Sequence, residues 1–238
     1  MSSSSPSSNK LPPLPLGVHL PGGHGDPPLS ESSPTVGYQL NHFMLRILDP
    51  QKTLHFYIDL MGMRTIFAMN AGPMTIYYLG YPQTEAHRAD PARFARETVP
   101  SPVMQRTLGL LELYHLHGSE DTPDDNGDGG KGFRIATGNT PPHLGFGHLG
   151  FTVPDVPAAV ERLRKAGVKI VKELGVSTKE SAQVSKWESE EVGIARGELH
   201  PNYRRILEQI AFVEDPVGYH LESVFVCFRC WRWRWYGE

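Results

Sequence analysis

The feature that most constrains this chain is an internal repeat. Asn41-His42-Phe43-Met44-Leu45-Arg46-Ile47-Leu48-Asp49 and Gly147-His148-Leu149-Gly150-Phe151-Thr152-Val153-Pro154-Asp155 follow one pattern, about a hundred residues apart. In each copy a His opens an apolar run that closes on an Asp seven residues later. A helix-like segment follows, ending near Gly62 in the first copy and Gly167 in the second. Each copy then reaches a Glu inside another apolar run: Glu112 in Leu110-Leu111-Glu112-Leu113-Tyr114, and Glu222 in Gly218-Tyr219-His220-Leu221-Glu222. The His-to-Glu separations are both about seventy residues. One imidazole and one carboxylate per copy point to a pseudo-symmetric metal site.

The apolar patterns give the order of elements. His42 to Leu48 reads as a strand, and Asp49-Pro50 as a helix start, with Leu54, Phe56, Tyr57 and Leu60 at helical spacing. Strands are expected near Arg64–Met69, Met74–Tyr81 and Thr107–Leu116, with a short helical pattern from Pro91 to Glu97. In the second copy His148–Val153 is a strand, Asp155 opens a helix that stops at Gly167, and Val168–Val171 is the next strand. Ile210–Val213, a turn at Asp215-Pro216-Val217-Gly218, and Tyr219–Phe225 read as a closing hairpin. The organisation is then a Ser/Pro-rich flexible arm (1–35), a first module (36–117), a linker (118–144), a second module (145–226) and a Trp/Arg-rich tail (227–238). Leu14, Leu16 and Val18 are the arm residues available to pack. A polar excursion at 174–208 interrupts the second module, and a loop of that length reads as a lid or binding loop, or else as partly disordered.

Composition excludes several classes. With 23 Lys+Arg against 26 Asp+Glu and no long basic run, no nucleic-acid partner is expected. The apolar runs are too short for a transmembrane helix, and the first residues lack the character of a secretory signal. Two cysteines, Cys227 and Cys230, exclude a disulfide framework and fit a reducing, cytoplasmic setting; in the tail they read as unpaired thiols. The acidic stretch Asp124-Asp125-Asn126-Gly127-Asp128-Gly129 lacks the terminal Glu of a calcium loop and reads as a solvated linker.

His42, Glu112, His148 and Glu222 all fall within strand-like runs. A charged Glu between apolar neighbours is costly to bury without a partner, and a shared cation would offset that cost. Two imidazoles and two carboxylates suit Zn, Ni, Co, Fe or Mn. The alternative is two hydrogen-bonded His residues and two edge-strand Glu residues. Strand alternation puts Arg46 on the face of His42.

Four motifs carry a family resemblance across roughly residues 38 to 226. His-x-Met-Leu-Arg at 42–46, Leu-Glu-Leu at 111–113, Gly-Phe-Gly-His at 145–148 and Asp-Pro-x-Gly-Tyr-x-x-Glu at 215–222 resemble glyoxalase I, the lactoylglutathione lyases. The resemblance implies an α+β vicinal-oxygen-chelate fold of paired βαβββ modules. It also implies one divalent metal per site, zinc with nickel as the alternative, held by His42, Glu112, His148 and Glu222. The implied reaction isomerises the methylglyoxal–glutathione hemithioacetal to S-lactoylglutathione through an enediolate. Glu222 would be the main base and Glu112 a ligand and second base. Arg46 and Lys172 would bind the substrate, and a homodimer would take two ligands for each site from each subunit.

Some positions depart from the family. It places an Asn four residues after the first Glu and an Arg four before the second His, where this chain has Leu116 and Leu144. A lyase or isomerase of the same fold with a different thiol or anionic substrate is therefore the first alternative, and a non-catalytic metal-binding protein the second. An iron ring-cleaving dioxygenase would leave Glu112 without a role. His220 shares a face with Glu222 and is expected to pack beside the pocket.

Overall fold

Both copies of the repeat fold from the same local instructions. In the computed structural model, which describes residues 14–20, 26–121 and 133–225, β1 (His42–Ile47) and β7 (His148–Val153) are the strands opened by the two His residues. The Asp that closes each run is a helix cap. Asp49 accepts from the Lys52 amide and starts α1 (Pro50–Leu54), and Asp155 accepts from the Ala158 amide and starts α5 (Val156–Lys165). Each helix carries Pro in its first turn, where the missing N–H costs nothing. The first helix continues as a wider π-type turn over His55–Leu60. Both helices stop where a Gly takes a left-handed conformation, Gly62 at φ +82° and Gly167 at φ +80°.

After its helix each module adds three strands: β2 (Arg64–Asn70), β3 (Met74–Gly80) and β4 (Leu110–Leu116) in the first, β8 (Ile170–Lys172), β9 (Ala211–Glu214) and β10 (His220–Phe225) in the second. The strand orders match, β1-β4-β3-β2 and β7-β10-β9-β8, with the first and last strands parallel and the other pairs antiparallel. The fold is α+β, two βαβββ modules. Between β3 and β4 lie three short helices, α2 (Glu85–Ala89), α3 (Pro91–Thr98) and α4 (Ser101–Met104), where the sequence pattern indicates only one. The stretch before the second module holds a small hairpin, β5 (Asn139–Thr140) and β6 (His143–Leu144).

One apolar core joins the modules. Leu45, Ile47, Phe56, Tyr57, Leu111 and Leu113 from the first pack with Leu149, Leu163, Val213, Tyr219 and Leu221 from the second. Each fully buried Leu or Phe contributes about 1.5–3 kcal/mol. The Tyr57 hydroxyl donates to Asp215 Oδ2 at 2.9 Å across this core, while Oδ1 accepts from the amides of Val217, Gly218 and Tyr219. Burial raises the Asp215 pKa, and those donors oppose the rise.

The excursion at 174–208 is folded, with short turns at Glu180–Ala182 and Trp187–Glu191 and a helix, α6 (Pro201–Leu207). Its two ends are clamped by Lys172, only 3% exposed, whose ammonium donates to the carbonyls of Glu173, Leu207 and Ile210. Leu14, Leu16 and Val18 of the arm are exposed. Among the described residues no helix is long and apolar enough to cross a membrane. The Asp124–Gly129 stretch, Cys227, Cys230 and the Trp/Arg tail lie outside the described residues.

Candidate metal centre

Register places the four ligand candidates in equivalent positions. Glu112 on β4 stands opposite Met44, two residues beyond His42; Glu222 on β10 stands opposite Gly150, two residues beyond His148. Because side chains alternate along a strand, His42 and Glu112 project from one face of the first sheet, and His148 and Glu222 from one face of the second. The opposite faces carry Leu45, Ile47, Leu111 and Leu113, and Leu149 and Leu221, into the shared core.

Each His meets its Glu. His42 Nε2 lies 3.3 Å from Glu112 Oε2, and His148 Nε2 lies 3.1 Å from Glu222 Oε2. The other ring nitrogen is committed in both cases. His42 Nδ1–H donates to Asn41 Oδ1 at 2.8 Å, and His148 Nδ1–H donates to Gln183 Oε1 at 2.9 Å. A carboxamide oxygen can only accept, so each amide keeps the proton on Nδ1 and leaves Nε2 to face the carboxylate. An Nε2 lone pair and a carboxylate oxygen directed at one spot form half of a metal site, with the orienting hydrogen bond that metal-binding imidazoles require. The residues present therefore fit a divalent cation.

The surroundings of the two pairs differ. Tyr78 on β3 donates its hydroxyl to Glu112 Oε2 at 3.2 Å and meets the His42 ring edge-on at 5.4 Å. Burial, with the Glu112 charge and hydrogen bond adding to it, pushes the Tyr78 pKa up to about 12, so it remains a donor at neutral pH. At the matching place in the second module Phe212 stands opposite Glu222 and meets His148 edge-on at 5.2 Å, without a hydroxyl. Donating to the Glu222 carboxylate raises the His148 pKa; burial opposes the rise, and the hydrogen bond to Gln183 adds to it.

Among the described residues of one chain, no three His, Cys, Asp or Glu side chains gather at a single point. The structure brings His42 to Glu112 and His148 to Glu222, and keeps the two pairs on separate sheets. Arg46 is exposed on the same face of β1 as His42. Lys172 is committed to its three carbonyls, and burial lowers its pKa. His220 is half-buried beside the second pair, its Nδ1 accepting from Gln183 Nε2 at 3.1 Å.

Asn41, Gln183, Tyr78 and Phe212 escape the sequence reading. Asn41 had a visible signal, an amide directly before a candidate ligand. Tyr78 sits in an apolar strand and shows its role only through register. Gln183 has no local signal, being 35 residues from His148.

Comparison with known proteins identifies the family. Residues 39–185 match the family described as the Glyoxalase/Bleomycin resistance protein/Dioxygenase superfamily. The chain is 35% identical over 198 residues to a lactoylglutathione lyase of Pseudomonas aeruginosa, covering 80% of this chain and 84% of that protein. It is 28% identical over 193 residues to the lactoylglutathione lyase of Pseudomonas putida, covering 80% and 86%. With glyoxalase I of Saccharomyces cerevisiae it shares 32% identity over 137 residues, 57% of this chain and 37% of that protein. A solved glyoxalase I structure from Leishmania major aligns at 20% identity with a TM-score of 0.44, covering 79% and 87%.

Proposed function

The chain belongs to the glyoxalase/bleomycin resistance protein/dioxygenase superfamily, and from that premise we propose that it is a lactoylglutathione lyase. The carrying observation is the pair of equivalent His–Glu half-sites, each with its imidazole oriented by an amide. The substrate is the hemithioacetal of methylglyoxal and glutathione, the product S-lactoylglutathione. His42, Glu112, His148 and Glu222 would hold the metal, with zinc the ion of choice for two nitrogen and two oxygen donors and nickel the alternative. When bound, a divalent cation stabilises negative charge developing on the two adjacent substrate oxygens.

The chain's own groups move the proton. Glu222 accepts the proton from the carbon next to the carbonyl and returns it to the neighbouring carbon, so the carboxylate is unchanged at the end. Phe212 opposite Glu222 brings it no hydroxyl, whereas Tyr78 donates one to Glu112, and this difference supports the choice. Tyr78 keeps Glu112 a ligand. Arg46, exposed beside His42, is the candidate for a substrate carboxylate. A cytoplasmic setting, where thiols stay reduced, suits such an enzyme.

The two pairs on separate sheets favour a homodimer in which His42 and Glu112 of one copy meet His148 and Glu222 of the other. Complementation tests this directly. His42→Ala and His148→Ala are each expected to be inactive, because every site in either homodimer lacks a ligand. Co-expressed, half the dimers are mixed and each mixed dimer has one intact site, so about a quarter of wild-type activity should return. A mixture that stays inactive would mean that the four ligands come from a single chain. The assay is S-lactoylglutathione formation by metal-stripped protein reloaded with zinc or nickel. Leu144, 39% exposed on the lining of a cleft of about 460 Å³ beside Gln183, supports a second reading of the thiol alone. If glutathione gives no turnover while a less polar thiol does, the reaction class stands and the thiol changes.

A further inference from the structure

The repeat aligns Asn41 with Gly147, so the second module lacks the side chain that orients the histidine in the first. The space is not left open. A Cβ placed on Gly147 would meet Gln183 Oε1 at 3.5 Å, and that oxygen accepts from His148 Nδ1. Gln183 belongs to the long connection between β8 and β9, whose counterpart in the first module is the tight turn between Asn70 and Met74. The insertion thus supplies from outside the repeat what Asn41 supplies from within it.

We propose that Gln183 is a positioning residue for the metal ligand His148, and that the β8–β9 insertion serves the metal site through it. The inference rests on the reading of His148 and Glu222 as metal ligands. Three observations converge on it. The carboxamide bridges two imidazoles, accepting from His148 Nδ1 and donating to His220 Nδ1, so its orientation is fixed at both ends. Its backbone closes the turn at Glu180–Ala182 in a left-handed conformation, φ 61°, which glycine adopts more readily than glutamine. The backbone therefore favours Gly at 183, and the side chain accounts for Gln. Finally, Lys172 ties the two ends of the insertion together, so the loop that carries Gln183 to His148 springs from a closed base.

These features separate positioning from folding. In metal-stripped full-length protein, zinc affinity is measured by competition with a chromophoric chelator, beside thermal melting, for wild type, Gln183→Gly and Gln183→Glu. Gln183→Gly should melt at or above the wild-type temperature, because the left-handed position suits glycine, yet bind zinc about 10–100-fold more weakly. Gln183→Glu keeps an acceptor for His148 Nδ1–H and should stay within about fivefold of wild type. Gln183→Gly binding zinc within about twofold of wild type would overturn the proposal. So would a Gln183→Gly protein that fails to fold, or a Gln183→Glu protein as weak as Gln183→Gly. Wild-type protein that binds no zinc would remove the metal reading and this inference together, whereas tight wild-type binding unaffected by either variant removes only this inference.

Discussion

The two half-sites present the same His–Glu pair in the same register, yet they hold it with different neighbours. In the first, Asn41 next to His42 in sequence orients the ring, and its own amide protons are anchored on the carbonyls of Met104 and Thr107. In the second, the same service comes from Gln183 in an insertion. The carboxylates differ too, since Glu112 accepts from Tyr78 and Glu222 stands opposite Phe212. The positions of the four proposed ligands are fixed by strand register, which a repeat copies faithfully. The groups that orient them need only reach the right atom, so they are free to come from anywhere in the chain. That freedom makes two equivalent carboxylates chemically unequal.

The largest test of this inequality compares the two Glu→Gln variants at saturating zinc. Glu222→Gln should keep its fold and lose about 10²–10⁴-fold in kcat, the usual worth of a positioned general base. Glu112→Gln retains Glu222 and should lose distinctly less. Turnover by progress curves at saturating metal separates a lost base from weakened metal binding. Equal losses in the two variants would erase the distinction between the half-sites.

How much of this could be read from the chain itself follows the same division. The His-to-Asp interval carries the strand and the N-cap together, because Asp49 and Asp155 both accept from the amide three residues on. Glu112 and Glu222 are legible because a charge inside an apolar run needs a partner. Both features depend on residues close in sequence. The role of Lys172 was not legible: it reads as a cation beside the site, and only the folded chain shows the carbonyls of Leu207 and Ile210 closing on its ammonium. Likewise the first and third short helices before β4, α2 and α4, are too brief to show a period, α4 spanning only Ser101–Met104. Gln183 joins His148 across 35 residues, and no local pattern encodes such a contact.

A middle-sized test exchanges the aromatic neighbours. Phe212→Tyr should bring a hydroxyl to Glu222 as Tyr78 brings one to Glu112. A hydrogen bond to a charged group is worth about 1.5–3 kcal/mol, and the share that weakens the base should lower kcat about tenfold. Tyr78→Phe removes the corresponding bond from Glu112 and should change kcat by no more than about threefold while loosening zinc. Steady-state kinetics and chelator competition on both variants give the two readouts. A larger kcat loss from Tyr78→Phe than from Phe212→Tyr would assign the base to the first half-site.

The smallest expected effect tests whether the orienting amides are interchangeable. Gly147 occupies the position of Asn41 and is absent from the positive-φ glycines, so an L side chain suits its backbone. Gly147→Asn in the Gln183→Gly background would rebuild in the second module the arrangement of the first, with an amide directly preceding the ligand. The new side chain enters the space that Gln183 Oε1 occupies, 3.5 Å from a Cβ at 147. It lacks the carbonyls of Met104 and Thr107 that anchor Asn41, so the rescue should be partial, a gain of about three- to tenfold in zinc affinity over Gln183→Gly alone. Chelator competition on the two proteins decides it. A gain would show that either amide can orient the ligand; no gain would mean that Gln183 acts by bridging His148 to His220 and that a single acceptor at Nδ1 does not replace it.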